Sequence, residues 1–101
     1  MRQPQQPARE AISLTEVLYA LSDPARLEIV RSLQNGKEKP CGEFGLHSKS
    51  TMSHHFKVLR EAGVTKTRME GRRRFTSLRQ EDLDSRFPGL LEAVLAAHKP
   101  F

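Results

Sequence analysis

The segment from His47 to Gly63, HSKSTMSHHFKVLREAG, constrains the fold most, because its residues divide at helical spacing into two chemically opposite faces. Met52, Phe56 and Leu59 follow one another at intervals of four and three residues, so they share one apolar stripe. A serine can cap the start of such a helix, and a glycine can end it. We therefore predict a helix that packs one face on a core and presents hydroxyls, an imidazole and cations on the other.

The flanking sequence predicts a mainly α-helical chain with one β-hairpin. Asp23 followed by Pro24 is a typical helix start, and Asn35-Gly36 is a typical stop. Apolar periodicity and β-branched runs place the remaining elements. The predicted elements are helices at 9–21, from 24 to the stop, at about 50–62 and at 88–97, at most a short helical turn at 43–46, and hairpin strands at 64–69 and 72–78.

Composition narrows the class of protein. We expect one domain over residues 9–98, a disordered Gln/Pro-rich tail over 1–8 and a short tail over 99–101. Cys41 is the single cysteine, which excludes an internal disulfide framework. The sequence has no apolar run of the roughly 20 residues that a membrane span needs, and its first residues lack the apolar region of a secretory signal. These features predict a cytoplasmic protein that does not associate with a membrane.

Positive charge is concentrated in one part of the chain. Residues 57–79 carry eight Lys or Arg and two Glu, a net charge of +6, and since the whole chain is +5 the rest is about −1. A concentrated basic patch suits a polyanion, whereas a solvated surface usually mixes its signs. The alternative is a basic face that serves only solubility.

The central helix and the hairpin together predict binding to double-stranded DNA. A helix fits the major groove, where short hydroxyl side chains and an imidazole can reach base edges while lysines contact phosphates. The hairpin would extend sideways as a wing, with its arginines near the backbone or the minor groove. The predicted DNA-contacting residues are Lys49, Ser50, Thr51, Ser53, His54, Lys57, Arg68, Arg72, Arg73 and Arg74.

A serine beside two histidines could also suggest catalysis or metal binding. Adjacent helical residues point about 100° apart, so Ser53 and His54 do not face each other, and the sequence spaces no carboxylate to orient either imidazole. We therefore predict no enzyme activity. His55 borders the apolar stripe and is predicted to be structural. Cys41 is interpreted as a small, partly buried hydrophobe, with a redox or metal-binding role as the alternative.

Three stretches together resemble the ArsR/SmtB family of bacterial winged helix-turn-helix transcriptional regulators. They are LSDPARLEIVRSL, STMSHHFKVLREAGV and EGRRR, and the resemblance extends from about Leu14 to Leu95. It implies a mainly α winged helix-turn-helix fold and a homodimer formed by the first and last helices. It also implies an inverted-repeat operator and, for most members, repression that a small effector relieves. The predicted dimer interface is Leu14, Val17, Leu18, Leu91, Val94 and Leu95.

The sequence departs from the family's two metal-sensing patterns. Arsenic and cadmium sensors carry E-L-C-V-C-D-L where this chain has KPCGEFGL, with one cysteine and with glycines that shorten the first helix of the motif. Zinc and nickel sensors carry D-x-H on the last helix, where this chain has Asp84 followed by Arg86, with His98 alone downstream. We therefore predict no metal and no cofactor.

Three alternatives stay open. The first is a zinc- or nickel-responsive regulator whose site is assembled from His47, His98, Asp84 and Cys41. The second is an activator that acts with a co-regulator protein. The third is a module whose basic face binds an acidic protein partner.

Overall fold

Within residues 5–45 and 47–98, which the computed structural model describes, the chain forms five α-helices and one small antiparallel sheet. The elements, in chain order, are α1 (Leu14–Ala20), α2 (Pro24–Ser32), β1 (Glu38–Pro40), α3 (Lys49–Ala62), β2 (Thr65–Glu70), β3 (Arg73–Leu78), α4 (Gln80–Arg86) and α5 (Leu90–Ala97), with 3-10 helices at Arg9–Ala11 and Cys41–Glu43. The strand order is β1-β3-β2. The helix pair α2 and α3 followed by the β2–β3 hairpin, called the wing below, forms the predicted winged helix-turn-helix.

The start of α2 has the predicted capping geometry. The Asp23 Oδ1 atom accepts hydrogen bonds from the backbone N–H groups of Ala25, at 2.8 Å, and of Arg26, at 3.2 Å. Pro24 occupies the first turn, where its missing N–H would have had no partner. This cap fixes the entry of α2, whose Ile29 and Val30 are fully buried.

The first predicted helix is divided into two pieces by an extended residue. Residues 9–21 were predicted to be one helix, but a 3-10 helix ends at Ala11 and α1 begins at Leu14. Ile12 between them turns its side chain inward, where it is 1% exposed. An added Cβ at Gly63 would lie 2.6 Å from the Ile12 Cγ1 atom. Ile12 therefore packs directly against the glycine that ends α3.

Two elements have no counterpart in the prediction, because neither shows a strong local pattern. The α4 segment, QEDLDSR, has one apolar side chain, Leu83, so it shows no stripe. Its place is fixed by Asp82, which pairs with Arg9 at 2.6 Å and with Arg79 at 2.8 Å. The three-residue strand β1 is defined by its pairing with β3. The predicted helical turn at 43–46 lies slightly earlier, at 41–43, and Leu46 is outside the described residues.

Residues 5–8, which the sequence places in a disordered tail, lie against the free edge of the sheet. The Gln6 side chain donates to the Thr67 carbonyl oxygen at 3.0 Å and accepts from the Thr67 N–H at 2.6 Å. The Pro7 carbonyl oxygen accepts a hydrogen bond from Arg79 at 2.6 Å. The Gln6 contacts pair both backbone groups of Thr67 on the edge strand β2, and so cover part of an edge that could otherwise template aggregation. Residues 1–4 and 99–101 lie outside the described residues.

The core is formed by the apolar sides of all five helices, by Ile12 before α1 and by Val64 before β2. It contains Ile12, Val17, Ala20, Leu21, Ile29, Val30, Leu33, Met52, Phe56, Leu59, Ala62, Val64, Leu83, Leu91 and Leu95. None of the helices within the described residues is long and apolar enough to cross a membrane. The core therefore holds α3 by one side and leaves its other side at the surface.

Candidate nucleic-acid interface

The helix α3 is defined at both ends by its own sequence. The Ser48 Oγ atom accepts a hydrogen bond from the Thr51 N–H at 3.4 Å and also bonds to the Thr51 hydroxyl at 3.0 Å. Gly63 closes the helix in the left-handed conformation, with φ of 85°. The buried side consists of Met52, His55, Phe56, Leu59 and Ala62. The helix therefore begins and ends within a few residues of where the sequence predicts.

The side of α3 that points away from the core carries every polar residue predicted on this helix to contact DNA. The residues that are exposed are Lys49, Ser50, Thr51, Ser53, His54 and Lys57. Neither Lys49 nor Lys57 forms an ion pair within the described residues. The surface thus offers hydroxyls, an imidazole and unpaired cations on a helix of groove-compatible diameter.

Arg26, a buried arginine on α2 that sequence reasoning missed, contacts the buried side of α3. Arg26 is 6% exposed, and its Nε donates to the Ala20 carbonyl oxygen at 2.7 Å and its Nη2 to the Tyr19 carbonyl oxygen at 3.3 Å. Its Nη1 lies 3.2 Å from the His55 Nδ1 atom. Arginine can only donate, so the His55 Nδ1 atom is the acceptor. The sequence signal was an arginine early in an amphipathic helix that also carries Glu28 and Arg31, and this does not distinguish a buried side chain from an exposed one.

His55 is buried, as its position beside the apolar stripe predicts, and it is held neutral. Burial lowers the pKa of the His55 imidazole, Asp23 opposes that shift, and the positive charge of Arg26 adds to it. A protonated ring would lose its bond with Arg26 and place two positive charges together in the interior. The contact between α2 and α3 therefore depends on a neutral histidine.

The tip of the wing presents three consecutive arginines. The strands pair in register from Thr65 opposite Leu78 to Glu70 opposite Arg73, and Gly71 turns the chain with φ of 60°. The exposed residues at the tip are Arg72, Arg73 and Arg74. The Arg73 guanidinium lies 5.0 Å from the centre of the Phe75 ring, which holds it against the outer face of the sheet.

Arg68, also predicted to contact DNA, is paired with carboxylates instead. It lies 2.8 Å from Glu38 on β1 and 2.8 Å from Glu70 on β2, and it stacks on Phe75 at 4.6 Å. The hydrogen bond to Glu38, and to a smaller extent the one to Glu70, raises the pKa of Arg68. The hydrogen bond from Arg68 lowers the pKa of Glu38. Two carboxylates offset the charge of Arg68, and its side chain links β2 to β1. We therefore do not include Arg68 among the residues proposed to contact DNA.

The predicted dimer residues separate into two groups. Val17, Leu91 and Leu95 are 1%, 4% and 8% exposed, so they pack in the core of the chain itself, and Val94 is half-buried. Leu14 and Leu18 are 44% and 45% exposed on α1. Tyr19, which the sequence analysis did not single out, is 61% exposed beside them. The apolar surface left open to a partner is therefore on α1.

The candidate metal ligands are not brought together. Within the described residues no three His, Cys, Asp or Glu side chains are grouped as a metal site. His98 lies 3.2 Å from Glu28, which links the end of α5 to α2. Cys41 is half-buried, and burial raises the pKa of its thiol against the opposing charges of Arg74 and Arg60. Such a thiol stays protonated near neutral pH, as expected of a small hydrophobe.

Comparison with known proteins identifies the family. The family model described as "Bacterial regulatory protein, arsR family" matches residues 23–66. Over 83 residues the chain is 46% identical to the uncharacterised HTH-type transcriptional regulator YceK of Bacillus subtilis (strain 168), covering 78% of this chain and 83% of that protein. It is 38% identical over 73 residues to the arsenical resistance operon repressor of Staphylococcus xylosus, covering 70% of each chain.

A solved structure agrees with these relatives. The crystal structure of the transcriptional repressor BigR from Xylella fastidiosa matches with a TM-score of 0.65 and 27% identity, covering 87% of this chain and 88% of that chain. The winged helix-turn-helix predicted from the sequence is confirmed, and so is its function as a regulator of transcription that is not an enzyme. This chain belongs to the arsR family of bacterial regulatory proteins and is a DNA-binding transcriptional regulator.

Proposed function

We propose that the protein is a repressor that binds an inverted-repeat operator as a homodimer in the cytoplasm. Two of the similar proteins described above are repressors by name. The observation that carries the proposal is the division of α3, whose apolar side is buried while its hydroxyls and cations are exposed.

The residues of the interface divide by chemistry into two tasks. Ser50, Ser53 and His54 are short or planar side chains that can approach base edges in the major groove. Lys49 and Lys57 on α3 neutralise phosphates, and the Thr51 hydroxyl, which is already engaged at the helix cap, is better placed for the backbone than for a base. The arginines of the wing tip, residues 72–74, contact the neighbouring backbone.

The second copy of the chain covers the exposed surface of Leu14, Leu18 and Tyr19 on α1. Large apolar side chains left in solvent on one helix are typical of an interface with another chain. A twofold axis through this surface would place the two α3 helices in successive major grooves, about 34 Å apart. The operator would then be an imperfect palindrome.

Selection of bound DNA from a random pool, together with the molar mass in solution, tests this proposal. We expect enriched sequences with inverted half-sites and a mass of twice one chain. Leu18→Glu provides the matched variant, because Leu18 is not part of the core and its loss leaves the monomer intact. This variant should be monomeric and should bind a single half-site weakly. Enrichment of no sequence, or of unpaired half-sites by the unaltered chain, would exclude a dimeric repressor.

A further inference from the structure

Residues 5–8, which precede the first 3-10 helix and are called the arm below, contact both α3 and the wing. The Gln5 carbonyl oxygen accepts a hydrogen bond from the Nε atom of Arg60 on α3, at 3.3 Å. The side chain of the next residue, Gln6, is bonded to Thr67 on β2. One short segment therefore connects the two elements that are proposed to meet DNA together.

The Gln6 side chain takes the place of a further strand at one position of the wing. Since the strand order is β1-β3-β2, β2 is an outer strand of the sheet. The Gln6 amide oxygen accepts from the Thr67 N–H at 2.6 Å, and the Gln6 Nε2 atom donates to the Thr67 carbonyl oxygen at 3.0 Å. A residue on a fourth antiparallel strand would exchange the same pair of hydrogen bonds with Thr67. Gln6 therefore holds β2 from the side that β3 does not cover.

The base of the arm is fixed to the domain, so Gln6 does not simply follow the wing. The Pro7 carbonyl oxygen accepts a hydrogen bond from Arg79 at 2.6 Å, and Arg79 pairs with Asp82 on α4. The Pro7 Cγ atom would lie 3.3 Å from a Cβ added at Gly63, the residue that ends α3. The arm therefore links Thr67 to a point that α3 and α4 hold in place.

The wing is held on both sides at nearly the same distance from its base. On one side β1 pairs with β3, as far as Pro40 opposite Phe75. On the other side Gln6 bonds to Thr67, whose neighbour Arg68 lies opposite the same Phe75. Contacts on both edges of a hairpin oppose its rotation about the base better than a contact on one edge.

The tip of the wing is far enough from the base that a small rotation matters. Strands rise about 3.3 Å per residue, so Gly71 at the tip lies about 23 Å beyond Val64 at the base. A rotation of about 10° would then move the tip by about 4 Å, which is more than the length of a hydrogen bond. The tip arginines, residues 72–74, can therefore meet phosphates beside α3 only if the angle of the wing is set.

We propose that Gln6 is a positioning residue for DNA binding, because its hold on Thr67 fixes the angle between the wing and α3. An interface ordered in advance loses less conformational freedom on binding, so its affinity is higher. The hold on the wing stands on the contacts of the arm, whereas the contact of the tip with DNA rests on the proposed function. The simpler alternative is that Gln6 only protects a strand edge from association with another chain.

Gln6→Met tests the hold on the wing in the absence of DNA, because it keeps the length of the side chain and removes both hydrogen bonds. Gln5→Met is the matched control, since Gln5 is adjacent and exposed and its recorded hydrogen bond uses only the backbone carbonyl. NMR of the full chain should show faster hydrogen exchange of the Thr67 N–H in the Gln6 variant alone. The same variant should show changed residual dipolar couplings at residues 72–74, with those of α2 unaltered. Unchanged couplings at the tip would overturn the proposal.

Operator affinity tests whether Gln6 acts through the tip arginines. Gln6→Met should weaken operator binding about three- to tenfold, and Gln5→Met should leave it unchanged. In a chain with Arg72, Arg73 and Arg74 all replaced by Ala, Gln6→Met should have no further effect, because there is no longer a cationic tip to position. Equal losses in both backgrounds would show that Gln6 acts on another part of the chain and would refute its positioning role.

The two proposals fail in different measurements. If the triple alanine variant bound the operator as tightly as the unaltered chain, the proposed contact between wing and DNA would be wrong, and Gln6 would have no role in DNA binding. If that variant bound weakly but Gln6→Met bound normally, only the role of Gln6 would be wrong. A Gln6→Met chain that associated in solution, with unchanged tip couplings and operator affinity, would assign Gln6 to edge protection alone.

Discussion

The exposed side of α3 and the outer face of the wing both carry cations, but they hold them differently. Lys49 and Lys57 on α3 form no ion pair within the described residues, whereas Arg68 on the wing lies between Glu38 and Glu70. Arg73 on the same face is stacked on Phe75. The number of basic residues in a segment therefore overestimates the charge that is free to meet a phosphate, because a carboxylate distant in the sequence, such as Glu38, can pair with one of them.

The two regions also differ in what fixes them to the domain. Besides its apolar packing, α3 has a buried polar contact between Arg26 and His55; besides the pairing of β3 with β1, the wing has a contact to β1 through Arg68, whose side chain is 49% exposed. A buried charged hydrogen bond is costly to break, whereas an exposed ion pair contributes little. Loss of the α3 anchor should therefore have much the larger effect on stability.

Replacement of Arg26 tests that difference and should give the largest effect. Arg26→Met should lower the free energy of unfolding by about 2–4 kcal/mol, because two carbonyl oxygens and the His55 ring lose their donor in the interior. Arg68→Met is the control and should lower it by less than about 1 kcal/mol. Urea denaturation of both variants measures the values. Equal decreases in the free energy of unfolding would show that the contacts of Arg26 and of Arg68 contribute equally to stability.

Base contacts by α3 should give the next largest effect. Ser53→Ala and His54→Ala should each reduce the preference for operator over random DNA by about 1–3 kcal/mol, as expected for one lost base contact. Gel-shift titrations with both kinds of DNA measure that gap. Glu61→Ala on the same helix, exposed but outside the proposed interface, serves as the control. An undiminished preference in both test variants would show that another face of the chain reads the bases.

The wing arginines should differ in their response to salt. Arg73→Ala should weaken binding to every sequence and reduce the slope of log affinity against log salt by about one unit, because one phosphate contact is lost. Arg68→Ala should leave the slope unchanged, since two carboxylates already offset its charge. Affinities at several salt concentrations measure both slopes. A reduced slope for Arg68→Ala would return that residue to the DNA-contacting set.

The smallest effect should be the dependence of stability on pH through His55. Its pKa is lowered in the folded chain, so the unfolded chain binds more protons just below the ordinary value of 6.5, and stability should fall as the pH drops below that value. The charged or titratable groups that influence its ring are Asp23, Arg26, His47 and His54.

Replacement of His55 separates its contribution to the pH dependence of stability from that of the carboxylates. The pKa values of Asp23, Glu28, Glu38 and Asp82 are also lowered, but from 3.8 or 4.5, so the stability they add is lost only at more acidic pH. His55→Gln should remove the decline just below pH 6.5 and leave the more acidic one. Thermal unfolding from pH 7 to pH 3 measures both declines, and an identical decline just below pH 6.5 in the variant would assign the effect to another histidine.

Local sequence was sufficient for the elements with strong patterns. The cap at Asp23, the glycine at the end of α3 and the stripe on that helix are where the sequence predicts them, and the serine predicted to cap α3 is Ser48. The wing hairpin is also where predicted, within a residue or two at each end. The helix α4, with one apolar residue, and the three-residue strand β1 could not be found from their local patterns, because contacts with distant residues, such as Asp82 with Arg9 and β1 with β3, help to place them.

The amino-acid sequence by itself determined the chemistry of the recognition helix, because helical periodicity alone separates its buried side from its polar side. Which charges are free was decided by the tertiary structure. Arg26 is buried because α1 and α3 lie beside it, and Arg68 is paired not only with Glu70 on its own strand but also with Glu38, which is distant in the sequence.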